Sequence, residues 1–240
     1  MAVKSPSVYL LYAWGSEQLI ASLMDVLYRG APPGSSVDEE TVKKRIEALW
    51  RRGHWSTLEF TGFGVLVECS RACHTQFIRH RMASYWAESQ RYVDYRRQPV
   101  RLIVPSNFPA EVLEESIKLY LQLREEGQRP EWARLVLPNA VAVRFAVQMN
   151  AREFFTNFAP LRCSASAQAE IRHVCWQMYA IAWRLWPTLA KLAWEDLPSL
   201  HRDFCTKVPK GEDCRLYAIQ DAETLFGSLS DKPWTGQHEH

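Results

Sequence analysis

A chain of 240 residues, 47% hydrophobic and 23% charged, is long enough to bury one large core, so a single domain over residues 1–240 is expected. The formal net charge of +2 gives no general attraction to nucleic acid or membrane surfaces, and no apolar run of about twenty residues marks a membrane-spanning helix. The N-terminal apolar run is short and lacks a small-residue cleavage site, and the six cysteines (Cys69, Cys73, Cys163, Cys175, Cys205, Cys214) contain no Cys-x-x-Cys, so a cytoplasmic protein with reduced thiols is expected.

In chain order, Ser7–Ala13 reads as a first strand. Ser16–Arg29 reads as a helix with Leu19, Ile20, Leu23, Val26 and Leu27 on one face and Gly30 as its stop. After the Ala31–Ser35 loop, Ser36 with Glu39 forms a capping box, opening a helix that carries Val42, Ile46, Leu49 and Trp50 inward until Gly53. Thr61–Cys69 alternates as a half-buried strand, and Gly62 and Gly64 on one face imply a close neighbour there. Ser70–Arg81 is expected to be a short helix with Gln76, Arg79 and His80 on a shared face, followed by a short loop to Ser89 and Arg91.

Gln98–Pro109 reads as a proline-punctuated connector and Ala110–Glu126 as an amphipathic helix. Pro130–Leu137 adds one or two turns before Pro138, and Ala140–Met149 is a valine-rich strand. Asn150 caps the next helix, and Gln168–Trp186 is a longer one with the stripe Ile171, Val174, Cys175, Met178, Ala182 and Leu185. The last residues, about 230–240, read as a frayed tail. Few strands and several long helices define an α+β class, with a mixed or antiparallel sheet packed against helices.

The chemistry concentrates at two places. Arg79, Arg81 and Arg91 carry permanently charged planar forks suited to phosphate, with Gln76 and Ser89 as neutral donors. Asn150 and Arg152 lie at a helix start, where backbone N–H groups favour anions; Asn157 sits two turns on and Arg162 follows. Two anion-binding sets imply one large ligand with several phosphates or two ligands held together. Cys69, Cys73 and His74 have no second ligand pair at zinc spacing, so no metal is expected. His54, beside Trp55, suits either aromatic packing or the site.

Arg79-His80-Arg81, seven residues, then Ser89 resembles the signature of flavin-dependent thymidylate synthases. Gly53-His54 with Ser56 and Glu59, the Ala133–Pro138 run, Asn150-Ala151-Arg152, Asn157-Phe158, Leu161-Arg162 and Ala167–Arg172 follow that family in order over roughly residues 50–175. The resemblance implies methylation of dUMP to dTMP, with methylenetetrahydrofolate as carbon donor, electrons from NADPH through FAD, and a homotetramer with shared sites. It implies that Gln76, Arg79, Glu88, Ser89, Gln90, Arg91, Arg134 and Arg162 hold dUMP. It implies that Ser56, Arg79, His80, Arg81, Asn150, Arg152 and Asn157 hold FAD, and that Arg162 stabilises the uracil ring as an anion. The alternative is a divergent relative that binds FAD and a nucleotide without methylating.

Four positions depart from the family pattern. Trp86-Ala87 replaces an Asn-Glu pair, with Glu88 one residue later; either Glu88 takes over through a backbone shift or the contact is lost. Phe60 stands where the family has His, and Ser166 replaces the His after the catalytic arginine. One residue is inserted between Arg152 and Asn157.

Overall fold

The computed structural model describes residues 2–105, 107–164 and 166–196. Its central layer is an antiparallel sheet of β2 (Ser7–Trp14), β3 (Gly62–Ser70), β6 (Ala142–Asn150) and β4 (Ala83–Ala87), in that spatial order. β3 pairs with β6 along its whole length, from Gly62 opposite Asn150 to Ser70 opposite Ala142. This pairing sets the end of β6 beside the start of β3. Phe63, Val65 and Val67 of β3 and Val143, Phe145, Val147 and Met149 of β6 are buried, as period-two alternation requires. The close neighbour anticipated at Gly62 and Gly64 is β2, whose Trp14 and Tyr12 rings occupy the space a Cβ would need.

Two expectations of loop are corrected. The stretch before Ser89 is strand β4, which pairs Ala83 to Ala87 with Met149 to Phe145 on the free edge of β6. The connector from Gln98 contains β5 (Arg101–Ile103), which pairs in parallel with β1 (Ala2–Lys4). Both strands are short and form on an edge that a distant segment supplies. The helix anticipated over 70–81 is α3 (Arg71–Phe77), capped by Ser70 Oγ accepting from the Cys73 N–H. Because it ends at Phe77, the chain turns and His80 points inward.

α1 (Glu17–Arg29) starts and stops as expected. Ser16 accepts from the Leu19 N–H, and Gly30 takes φ 69, a left-handed conformation that glycine adopts without strain. Its apolar face is only partly covered: Ile20 is buried while Leu27 is 71% exposed. α2 (Glu39–Arg51) is capped by Asp38 rather than Ser36, since the Asp38 carboxylate accepts from both the N–H and the hydroxyl of Thr41. Val42, Ile46, Leu49 and Trp50 face the core as expected. A 3-10 turn, Trp55–Phe60, leads back into β3.

α4 (Glu114–Glu125) and α5 (Pro130–Ala133) build a smaller cluster around Tyr95, Ile117 and Tyr120. The segment after β6 is α6 (Ala151–Glu153), a π-helical turn (Phe154–Phe158) and α7 (Ala159–Arg162). Then α8 (Ala169–Leu185) and α9 (Pro187–Asp196) pack their buried residues into the same core as β3 and β6. The expectation of reduced thiols is overturned at one pair: Cys163 and Cys175 form a disulfide, with Cα atoms 5.3 Å apart. A spacing of twelve residues carried no sign of this, because the turn into α8 makes the contact. The expected frayed tail, Cys205 and Cys214 lie outside the described residues.

Candidate active site

Arg162 closes α7, and its guanidinium reaches back across the chain to α3. Its Nε–H donates to His80 Nε2 at 2.9 Å, and Nη2 donates to the Gln76 carbonyl at 3.1 Å. Both bonds fall on one edge of the planar fork, so the outer Nη1/Nη2 edge keeps free donors. Burial pulls Arg162 below its usual pKa, yet an arginine stays charged at neutral pH.

His80 is 3% exposed and packs against Phe158. Its Nδ1 lies 3.2 Å from Glu153 Oε1, and Glu153 is 6% exposed. Since Nε2 accepts from Arg162, the imidazole is neutral with its proton on Nδ1. Its pKa is lowered, chiefly by burial; Glu153 raises it and the Arg162 charge lowers it further. The Tyr85 hydroxyl donates to the carbonyls of Phe77 and His80 and braces the turn between α3 and β4, and burial pushes the phenol pKa up.

Arg79 and Arg81, on either side of His80, are exposed and make no ion pair or hydrogen bond among the described residues. Asn150 caps α6 by accepting from the Glu153 N–H, and Asn157 Nδ2 donates to Glu153 Oε1 at 2.8 Å. Arg152 pairs with Glu59 at 2.6 Å, both about half exposed. A π-helical turn, Phe154–Phe158, lies between Arg152 and Arg162. A π turn holds one residue more than an α turn, which suits the insertion expected there, and Glu153 and Arg162 on its two sides both reach His80. Ser56 lies apart in the 3-10 turn, lining a cavity of about 330 Å³ with the exposed His54 and Phe60.

The remaining residues form a second group. Glu88 follows β4, and both its oxygens accept from Arg101 Nη2 at 3.1 Å; Arg101 also holds Glu68, which holds Arg144. In this arrangement the Glu88 carboxylate is engaged within the chain, and Trp86, 84% exposed, points to solvent. Gln90 is buried and accepts from Arg71. Ser89 Oγ accepts from the Arg91 N–H, and Arg91 lies 3.5 Å from Glu131 of α5, one turn before half-buried Arg134. No hydrogen bond or ion pair joins this group to Arg162 among the described residues.

Sequence reasoning missed Glu153, Tyr85 and Gln168, which accepts from the Gln76 side chain. The Asn150-x-x-Glu153 spacing signals a capped helix start, and that reading hides the inward turn of the Glu153 carboxylate. Cys69, Cys73 and Glu170 place ligand atoms within 4.8 Å of one another in the core. Both Glu170 oxygens accept from Ser70, which makes this cluster a brace between β3 and α8.

Fold and side chains together define an α+β protein that gathers permanent positive charge around a buried neutral imidazole, a class suited to anionic ligands. Residues 9–188 match the thymidylate synthase complementing protein family. The chain is 62% identical over 241 residues to a flavin-dependent thymidylate synthase of Pyrobaculum aerophilum, covering 99% of this chain and 98% of that one. It is 36% identical over 154 residues to the flavin-dependent thymidylate synthase of Pyrococcus abyssi, covering 59% and 63%. The UMP/dUMP methylase PolB from Streptomyces cacaoi, bound with 5-Br dUMP, shares the fold with a TM-score of 0.71 at 22% identity, over 83% of this chain and 99% of that one. The chain belongs to the flavin-dependent thymidylate synthase family.

Proposed function

We propose that this chain, as one domain, catalyses flavin-dependent methylation of dUMP to dTMP, taking the carbon from methylenetetrahydrofolate and the electrons from NADPH. The observation that carries the reading is the anchored guanidinium of Arg162, held on one edge by His80 and Gln76 and open on the other. A fixed, permanently charged fork suits stabilisation of an anionic uracil ring, because its charge needs no reorganisation as the ring charge develops.

The residues fit a dinucleotide cofactor. Arg79 and Arg81 offer unpaired cations for a pyrophosphate, and the surface pair Arg152–Glu59 exchanges for a phosphate at small cost. FAD, when bound, supplies the redox chemistry. Ser56, Arg79, Arg81, Asn150, Arg152 and Asn157 would hold it, and neutral His80, whose ring nitrogens are engaged by Glu153 and Arg162, would back them rather than bond the cofactor through its ring. Gln76, Arg79, Ser89, Gln90, Arg91, Arg134 and Arg162 would hold the nucleotide, with Glu88 buttressing that loop through Arg101.

The proposal includes sites shared between subunits of a homotetramer, as the family resemblance implies. The exposed run Tyr9, Leu10, Leu11 and Tyr12 on β2 offers an apolar surface for such assembly. A cytoplasmic setting is part of the proposal; among the described residues no helix is long and apolar enough to cross a membrane.

Ala87, together with the engaged Glu88, favours one other reading, a relative that binds FAD and nucleotide without methylating. The test is dTMP formation by purified protein with FAD, NADPH, dUMP and the folate. The proposal expects dTMP; NADPH oxidation without dTMP selects the other reading, and failure to take up FAD refutes both. Arg162→Ala is expected to abolish dTMP formation while the flavin spectrum is retained, and retained turnover would remove Arg162 from the activating role.

A further inference from the structure

We infer that Glu153 is a positioning residue: it fixes the proton of His80 on Nδ1, which leaves Nε2 to accept from Arg162 and aims the guanidinium at the nucleotide. This rests on the proposed role of Arg162 and adds a residue that no family motif quoted above contains. The chain of contacts is continuous. Asn157 Nδ2 donates to Glu153 Oε1 at 2.8 Å, Nδ1–H of His80 donates to the same oxygen at 3.2 Å, and Arg162 Nε–H donates to His80 Nε2 at 2.9 Å. Glu153 and His80 are both more than nine-tenths buried, so water does not offer the imidazole an alternative partner.

An imidazole has two neutral tautomers, and only one suits this site. With the proton on Nε2, the ring would present N–H to the Arg162 N–H, two donors 2.9 Å apart. The guanidinium would then swing away from the Gln76 carbonyl as well. A carboxylate opposite Nδ1 excludes that tautomer. The same oxygen also accepts from the Asn157 amide, which holds the carboxylate facing Nδ1.

Doubly protonated His80 would oppose Arg162 in the same way. The groups that face His80 are Glu153 from α6, Arg162 from α7 and Tyr85 from β4, with Arg79 and Arg81 beside it in sequence and Cys73 of α3 near Arg162. Burial and Arg162 favour the neutral ring, and Glu153 alone among them draws a proton toward it. The site therefore gains a fixed tautomer and pays with an acid limb in nucleotide binding.

The test compares wild type, Glu153→Gln and Glu153→Leu in the FAD-loaded protein. dUMP affinity is measured by calorimetry from pH 5 to 8, and kcat/KM for dTMP formation alongside it. Glu153→Gln keeps an Oε1 that accepts from both His80 and Asn157 and loses only the charge. Its affinity at pH 7.5 is expected within about threefold of wild type, and its acid limb moves to lower pH. The dUMP phosphate titrates near pH ~6 in every variant, so the difference between proteins reports on His80. Glu153→Leu removes the acceptor and is expected to lose about ten- to a hundredfold in affinity and in kcat/KM at pH 7.5, with FAD still bound.

Equal losses in the Gln and Leu variants, or an unmoved acid limb in Glu153→Gln, would overturn the inference; if the Leu variant does not fold, the acid limb of Glu153→Gln decides. A wild type that binds dUMP with this pattern but forms no dTMP would sink the methylation reading and leave the positioning role standing. Normal turnover in both variants would do the reverse.

Discussion

The Cys163–Cys175 disulfide ties the residue after Arg162 to the middle of α8, and removing it tests how much of the site's rigidity it supplies. The closed loop spans a sequence separation of twelve. Loop-closure entropy for that length corresponds to about 3 kcal/mol at 25 °C. For a chain of this size, at roughly 2–4 °C per kcal/mol, the melting temperature is expected to fall by about 6–12 °C. The perturbations are wild type under reductant, which keeps both buried sulfurs in place, and the Cys163→Ala/Cys175→Ala pair, which also loses their packing. Melting is followed by calorimetry at one fixed protein concentration, because assembly stabilises the folded state by mass action. Thiol titration in denaturant reports the bond itself. Wild type and the double variant should titrate equally before reduction, and after it wild type should show two thiols more than the double variant. A melting shift under about 2 °C with the bond demonstrably broken would refute the loop-entropy reasoning. A larger drop in the Ala pair than in reduced wild type measures the lost packing.

Three other outcomes are expected. Arg79→Ala should weaken both FAD and dUMP by about ten- to a hundredfold each, as loss of a charge-assisted bond to each ligand predicts, read by flavin titration and calorimetry. Gly62→Ala should destabilise the protein by about 1–3 kcal/mol in denaturant unfolding, because the added Cβ would sit 2.6 Å from the Met149 carbonyl and inside the Trp14 ring. Burial pushes the Glu170 carboxyl up to about 6 from 4.5. The folded chain therefore holds that proton more tightly, so the stability it contributes is present below pH 4.5 and lost as pH rises through 6. Glu170→Gln should remove about 2 kcal/mol of that loss, visible as a smaller fall in melting temperature between pH 4.5 and 7 than in wild type.

Where the signal was local, the chain could be read directly. Ser16 and Gly30 bracket α1 because a cap acts on backbone groups three or four residues away. The buried faces of α2 and α8 followed from helical periodicity, β3 from alternation and β6 from its valine content. Asp38 displaced Ser36 as a cap because two candidates stood two residues apart and only geometry chose between them. β4 was hidden because Ala83–Ala87 is only five residues long and forms on an edge supplied by β6, about sixty residues later.

The cations and amides of the site were legible as a motif, since residue type and order carry that information. Their state was not. Glu88 on Arg101, Arg152 on Glu59, Glu153 on His80 and Cys163 on Cys175 are all choices of partner across the fold. The amino-acid sequence by itself determined which charges the chain has, where its helices and long strands lie, and the family they resemble. The tertiary structure decided which of those charges are free to meet a ligand and which tautomer His80 takes. Pairing and protonation depend on distance and burial, and both arise only when segments far apart in the chain are brought together.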